Sequence, residues 1–104
     1  MAWLQRWRGR GREAAGEADV VVVSRAGCHL CTDMERVVAG VLAEPARSGV
    51  RGGRLRVVDL DETARDDPAV AERWTTQVPV LLVDGREVAH WRVDAQTVRA
   101  ALRR

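Results

Sequence analysis

Four consecutive valines, Val20 to Val23, constrain this chain more than any other stretch. β-branched side chains favour extended backbone, and a run without polar alternation makes a strand apolar on both faces. Such a strand belongs inside a sheet that is at least partly parallel, with helices covering each side. With 104 residues, 46% of them apolar and 31% charged, the chain has the size and balance of one ordinary globular domain with a single modest core.

The pattern after the valines supports that architecture. Ser24-Arg25-Ala26-Gly27 interrupts the strand, and from His29 the apolar residues fall at Leu30, Met34, Val37, Val38, Val41 and Leu42. This is helical spacing, and it should end near Glu44 because Pro45 cannot continue a helix. A loop over Ser48 to Gly53 leads to a second strand carrying Leu55, Val57 and Val58 and closing at Asp59. Asp66-Asp67-Pro68 is a helix start, predicting a short helix from Ala69 to about Trp74. Val80 to Val83, the Asp84-Gly85 turn and Glu87 to Trp91 read as a hairpin. Asp94 is placed to cap a last helix bearing Val98, Ala101 and Leu102. The expected order is β-α-β-α-β-β-α. The helical crossover makes the first two strands parallel and the hairpin makes the last two antiparallel, giving a mixed four-stranded sheet flanked by helices.

Charge excludes little but locates one oddity. The net charge is only +2, so nucleic acid is not an expected partner. Arg6, Arg8, Arg10 and Arg12 crowd the first dozen residues beside Trp3, Leu4 and Trp7. Gly9, Gly11 and Gly16 argue against a helix there, and no apolar run follows as a signal peptide requires. The expectation is a flexible Arg-rich extension over residues 1–18 and a domain over 19–104. A surface-binding arm is the alternative reading of the extension. No stretch approaches the roughly 20 apolar residues of a membrane span, so membrane partners are not expected and a cytoplasmic location is.

The chain has two cysteines, Cys28 and Cys31, at the expected strand-to-helix junction. A loop this small adds little chain-entropy stabilisation, so the pair points to chemistry rather than to stapling. A helix N-terminus presents unsatisfied N–H groups and the positive end of the macrodipole, which stabilise a thiolate. By position Cys28 is the exposed nucleophile. Cys31, almost one turn along on the same side, is the resolving thiol. Arg25 and His29 flank the pair and can add positive charge near the sulfur. A C-x-x-C is also half of a zinc site, for which the chain offers only His29 and His90 in addition.

Val78-Pro79 supplies a second signal. Proline just ahead of a buried strand sacrifices a ladder donor. A cis Val78–Pro79 bond would turn the Val78 backbone toward the cysteine loop, and a trans proline would merely start an edge strand. Trp74 can line a groove beside this loop or pack in the core with its N–H satisfied, and Trp91 reads as a core residue. Asp59 and Asp61 read as solvated loop carboxylates.

Ser24-Arg25-Ala26-Gly27-Cys28-His29-Leu30-Cys31, followed by Val78-Pro79-Val80 and the Asp84-Gly85 hairpin, resembles the glutaredoxin-like branch of the thioredoxin superfamily. The likeness runs from about Val20 to the C-terminus. It implies a thioredoxin-like fold, a nucleophile matching Cys28, a resolving cysteine matching Cys31 and a cis proline matching Pro79. It also implies that the position of Val78 makes the backbone contacts to a bound thiol substrate. Two features depart from the family pattern. His29-Leu30 stands where many glutaredoxins have a Tyr, and Trp91-Arg92-Val93-Asp94 stands where they have a Gly-Gly and a capping Asp. The second departure bears on glutathione recognition. The implied activity is dithiol–disulfide exchange on protein disulfides or low-molecular-weight thiols, glutathione or mycothiol-like. A monomer with no bound cofactor is expected, re-reduced by an external thiol or reductase. The alternative is a metal- or iron–sulfur-cluster-binding module of the same family.

Overall fold

The computed structural model describes residues 16–103. The N-terminal arginines and tryptophans, and with them most of the expected extension, lie outside the described residues. The elements are β1 (Ala18–Ser24), α1 (His29–Leu42), β2 (Gly53–Asp59), α2 (Leu60–Asp66), α3 (Pro68–Trp74), β3 (Val80–Val83), β4 (Arg86–His90) and α4 (Ala95–Ala101). The sheet order is β2-β1-β3-β4. β1 runs parallel to β2 with Val22 opposite Val57, and antiparallel to β3 with Val23 opposite Val80. β3 and β4 pair antiparallel, with a bulge between Leu81 and Leu82.

Successive side chains of a strand point to opposite faces, so the four valines of β1 serve two cores. Val20 and Val22 pack with Met34, Val38 and Val41 of α1 and with Val98 and Leu102 at α4. Val21 and Val23 pack with Leu60 of α2 and with Val70, Ala71 and Trp74 of α3. None of the four is more than 2% exposed. The mixed four-stranded sheet flanked by helices is the architecture that the valine run requires, and it is thioredoxin-like.

One element differs from the sequence reading. A helix, α2, follows β2 directly where a loop was expected, making the order β-α-β-α-α-β-β-α. Its cap is Asp59, whose Oδ1 accepts from the Asp61 N–H at 2.7 Å, so Asp59 is a helix cap and not a solvated loop carboxylate. The helix buries only Leu60 and Thr63, too few positions for a periodicity to register. Asp67 then caps α3, with Pro68 at its first turn as expected.

The two tryptophans of the described chain part company. Trp74 is 1% exposed and its indole N–H donates to Glu87 Oε1 at 2.6 Å, the packed reading. Trp91 is 52% exposed rather than core. It takes φ 65, a left-handed conformation rare for a bulky residue, which breaks the alternation of β4 and turns the ring outward.

A polar clamp ties off the end of the sheet away from the cysteines. Asp84 and Gly85 both have positive φ, as a two-residue hairpin turn of primed type demands. Asp84 Oδ1 accepts from the Asp19 N–H at 3.0 Å, and the Asp84 N–H donates to the Asp19 carbonyl at 2.8 Å. Arg51 Nη1 donates to Asp84 Oδ2 at 2.7 Å, and the Arg51 N–H reaches the Leu102 carbonyl at 2.9 Å beyond α4. Asp19 itself is buried and ion-paired with Arg56.

Asp84→Ala should therefore lower stability by about 2 kcal/mol, because it strips partners from the Asp19 amide and from Arg51 and puts Ala at positive φ. Urea unfolding would measure it, and Asp84→Asn, which tolerates that backbone, should lose less. Acid should weaken the Trp74 anchor. Burial pushes the Glu87 carboxyl up, but hydrogen bonds from Trp74 and Arg73 outweigh it and hold the group below its ordinary value of 4.5. A depressed folded pKa means that the contribution is present above 4.5 and is lost as pH falls through the folded value. Glu87→Gln should flatten this acid limb in unfolding curves measured from pH 6 downward.

Candidate active site

The site forms where β1 ends. Ser24 is the last residue of β1 and is buried. Arg25-Ala26-Gly27 turns the chain, and Gly27 at φ 74 supplies the left-handed step that a side chain would resist. Cys28 follows with φ −97 and ψ 113 as the N-cap of α1. Serine, threonine, asparagine or aspartate usually fill that position, accepting from an orphan amide of the first turn. Here the acceptor is sulfur: the Cys31 N–H donates to Cys28 Sγ at 3.2 Å. The sulfur thus sits at the N-terminal end of α1, with a first-turn amide donated to it. The half-buried position of Cys28 leaves its sulfur open to a substrate.

Cys31 lies in the opposite environment. It is 2% exposed, and its thiol is pushed up to about 11, first by desolvation and then by the neighbouring Cys28 sulfur. The Arg25 backbone and the Ser24 side chain act in the other direction. Both cysteines are free thiols. Two sulfurs three residues apart on one helical turn, one half-buried at the N-cap and the other dry and held protonated, can perform sequential nucleophilic attack.

Arg25 meets the site through its backbone. Its guanidinium lies 3.9 Å from Asp61 on α2, an exposed and weak pairing, whereas its amide reaches Cys31. His29 is exposed on the first turn of α1. His90 is exposed on β4, its ring edge-to-face with Trp91 at 4.8 Å. Among the described residues no three His, Cys, Asp or Glu side chains are grouped to hold a metal ion.

The Val78–Pro79 peptide is cis. Because Val80 pairs with Val23, the register carries Pro79 to the same end of the sheet as Ser24 and the cysteine turn. Pro79 is buried and Val78 half-buried. One expectation needs correcting. The Val78 N–H donates to the Trp74 carbonyl at 3.0 Å, because the last turn of α3 runs on into the loop, so this amide is engaged internally. The segment after β4 completes this end. The Trp91 N–H donates to the Pro79 carbonyl at 2.9 Å, and its indole N–H to the Thr76 carbonyl at 2.9 Å. Asp94 directs its carboxylate to the Thr97 N–H at 2.7 Å, capping α4 as expected.

Sequence reasoning missed Glu35. It stands one turn beyond Cys31 on α1, and its Oε2 accepts from Ser24 Oγ at 3.0 Å. The only trace in the sequence was an i, i+4 spacing of Cys and Glu, which surface helices carry by chance.

The chain is similar in sequence to known proteins. The glutaredoxin-like domain family (DUF836) matches residues 19–103. Proteins of Mycobacterium bovis and of two strains of Mycobacterium tuberculosis are each 30% identical over 86 residues, covering 82% of this chain and 82% of theirs. All three are described as uncharacterised. No solved structure matches the chain. Among the described residues no helix is long and apolar enough to cross a membrane.

Limited alkylation with iodoacetamide at pH 8, mapped by mass spectrometry, should label Cys28 and spare Cys31. Equal labelling of both would contradict the burial and protonation of Cys31.

Proposed function

The chain belongs to the glutaredoxin-like family of the thioredoxin superfamily, and from that membership we propose that it is a dithiol–disulfide oxidoreductase working through Cys28 and Cys31. The observation that carries the reading is the sulfur N-cap: Cys28 Sγ accepts the Cys31 N–H at 3.2 Å at the start of α1, with Cys31 buried behind it.

In the proposed cycle the Cys28 thiolate attacks a substrate disulfide and displaces one thiolate, leaving a mixed disulfide on Cys28. The Cys31 sulfur then attacks Cys28, the mixed disulfide breaks, and the second substrate thiol departs. The substrate gains two electrons and the cysteine pair loses two, so an external thiol or reductase must reduce the pair for the next turnover. The substrate lies against Val78-Pro79, with the Val78 carbonyl accepting from its backbone. Protein disulfides and low-molecular-weight thiols both suit an open sulfur beside such a loop. The chemistry needs no bound cofactor.

The test is exchange activity in single cysteine variants, alongside a redox titration in defined thiol–disulfide buffers. Cys28→Ser should fall to the rate of the uncatalysed exchange. Cys31→Ser should stall as a mixed disulfide on Cys28, seen as a mass increment. The wild-type titration should show one two-electron transition, near or below about −200 mV for a reductase and near −120 mV for an oxidant. Full activity in Cys28→Ser would overturn the assignment.

A further inference from the structure

The net charge of +2 averages over two unlike ends of the domain. At the end away from the cysteines, hydrogen bonds and strand register gather several separate segments. The Ala18 N–H donates to the Gly52 carbonyl at 2.9 Å, which seats the start of β1 beside the start of β2. Val50 bridges to Arg47 and also to Arg103. Val83 and Arg86 pair across the hairpin turn, next to the contact between Asp84 and Arg51. Arg47, Arg54, Arg86 and Arg103 are thereby brought to this end from four segments, and all four are exposed.

Their charge is not neutralised locally. Three carboxylates at this end already have arginine partners: Asp19 with Arg56, Asp84 with Arg51 and Glu44 with Arg99. Arg47 lies in the field of Glu44, but both Glu44 oxygens accept from Arg99. Glu17 is exposed there without such a pair. Among the described residues no ion pair engages Arg47, Arg54, Arg86 or Arg103. The cysteine end differs, with Asp59, Asp61 and Glu62 at the start of α2 and the Arg25 guanidinium facing Asp61. The chain also enters the domain at the basic end, because β1 begins there. The residues before β1 carry Arg6, Arg8, Arg10 and Arg12 against Glu13 and Glu17, with Trp3, Leu4 and Trp7 beside them. One feature of the fold and one of the sequence thus supply positive charge to the same end.

We propose that this end of the domain, with the segment that leads into it, docks on an anionic lipid bilayer and keeps the cysteine end away from the membrane. Basic residues near a bilayer are attracted to acidic headgroups, and tryptophan and leucine side chains lodge at headgroup level. The four arginines stand on separate segments around the end of a sheet, an arrangement that suits a plane. A nucleic acid strand would call for a groove that tracks its backbone. Leu4 likewise gains from lipid and has no ring on which a base can stack. Docking here leaves Cys28 at the opposite end of the domain, whatever its chemistry.

Cosedimentation of the full chain with vesicles tests this, using pure phosphatidylcholine and phosphatidylcholine mixed with phosphatidylglycerol. The protein should sediment with the mixed vesicles and stay in solution with the neutral ones. The bound fraction should fall as salt is added. Arg47→Gln combined with Arg103→Gln should weaken partitioning about 25-fold, about fivefold for each charge removed near the surface. Both side chains are exposed and hold no ion pair among the described residues, so the urea unfolding curve of this variant should match the wild type. Trp3→Ala combined with Trp7→Ala should also weaken binding while leaving its salt dependence in place. Absence of binding to the mixed vesicles, equal binding to the neutral ones, or wild-type partitioning of the double arginine variant would overturn the proposal. Tighter binding to a single-stranded oligoribonucleotide than to the mixed vesicles would overturn it in favour of nucleic acid. Disulfide exchange in solution should be the same in these variants as in the wild type, so the docking surface and the dithiol reading stand or fall separately.

Discussion

The burial of β1 on both faces is the constraint from which the rest of this structure follows. Val20 and Val22 demand apolar partners on one side, Val21 and Val23 on the other, and only a strand in mid-sheet can have both. β1 therefore lies between β2 and β3. Helices must cover each face, since an uncovered valine surface would stay in water at a cost of about 1.5 kcal/mol or more per side chain. With α1 and α4 on one face and α2 and α3 on the other, the end of β1 leads into the cysteine turn, at the same end of the sheet as the Val78-Pro79 loop. The chain emerges there at Ser24, and the chemistry is built on that emergence.

At this end of the sheet the fold separates two chemically identical side chains. Cys28, at the N-cap, has a helical amide aimed at its sulfur and solvent beside it. Cys31, three residues later, faces inward, where desolvation outweighs the opposing effects of the Arg25 backbone and the Ser24 side chain. The asymmetry costs nothing in sequence complexity, because helical geometry alone turns one residue outward and the other toward the strand. The same helix also brings Glu35 to the end of β1, where its Oε2 accepts from the Ser24 hydroxyl.

The opposite wall is held by a different logic. The loop before β3 is braced from both sides: Trp74 carbonyl receives the Gln77 and Val78 amides, and Trp91 bonds the carbonyls of Thr76 and Pro79. Trp74 is in turn fixed to Glu87 of β4. The strained backbone of Trp91 persists because these two hydrogen bonds over-determine its position. Where many glutaredoxins have small glycines after the hairpin, this chain has the exposed indole of Trp91.

Much of this was legible in order along the chain. The valine run, the helical spacing after Cys28, Asp67-Pro68, Asp84-Gly85 and Asp94 are local signals, and each marks the element it should. Local signals failed where few apolar residues carried the pattern, as in α2, whose cap Asp59 looks like any loop carboxylate until its amide partner is known. They failed again at Trp91, since an indole reads as core unless its backbone angle is seen. By itself the sequence determined which segments are strands and helices, the family, and the placing of Cys28 and Cys31 at a helix start, because these depend on neighbours in the chain. Only the tertiary structure decided that the Val78 amide is already engaged, that Arg25 acts through its backbone and that Glu35 meets Ser24. Those contacts join residues whose proximity depends on how strands register and helices dock, which no local pattern encodes.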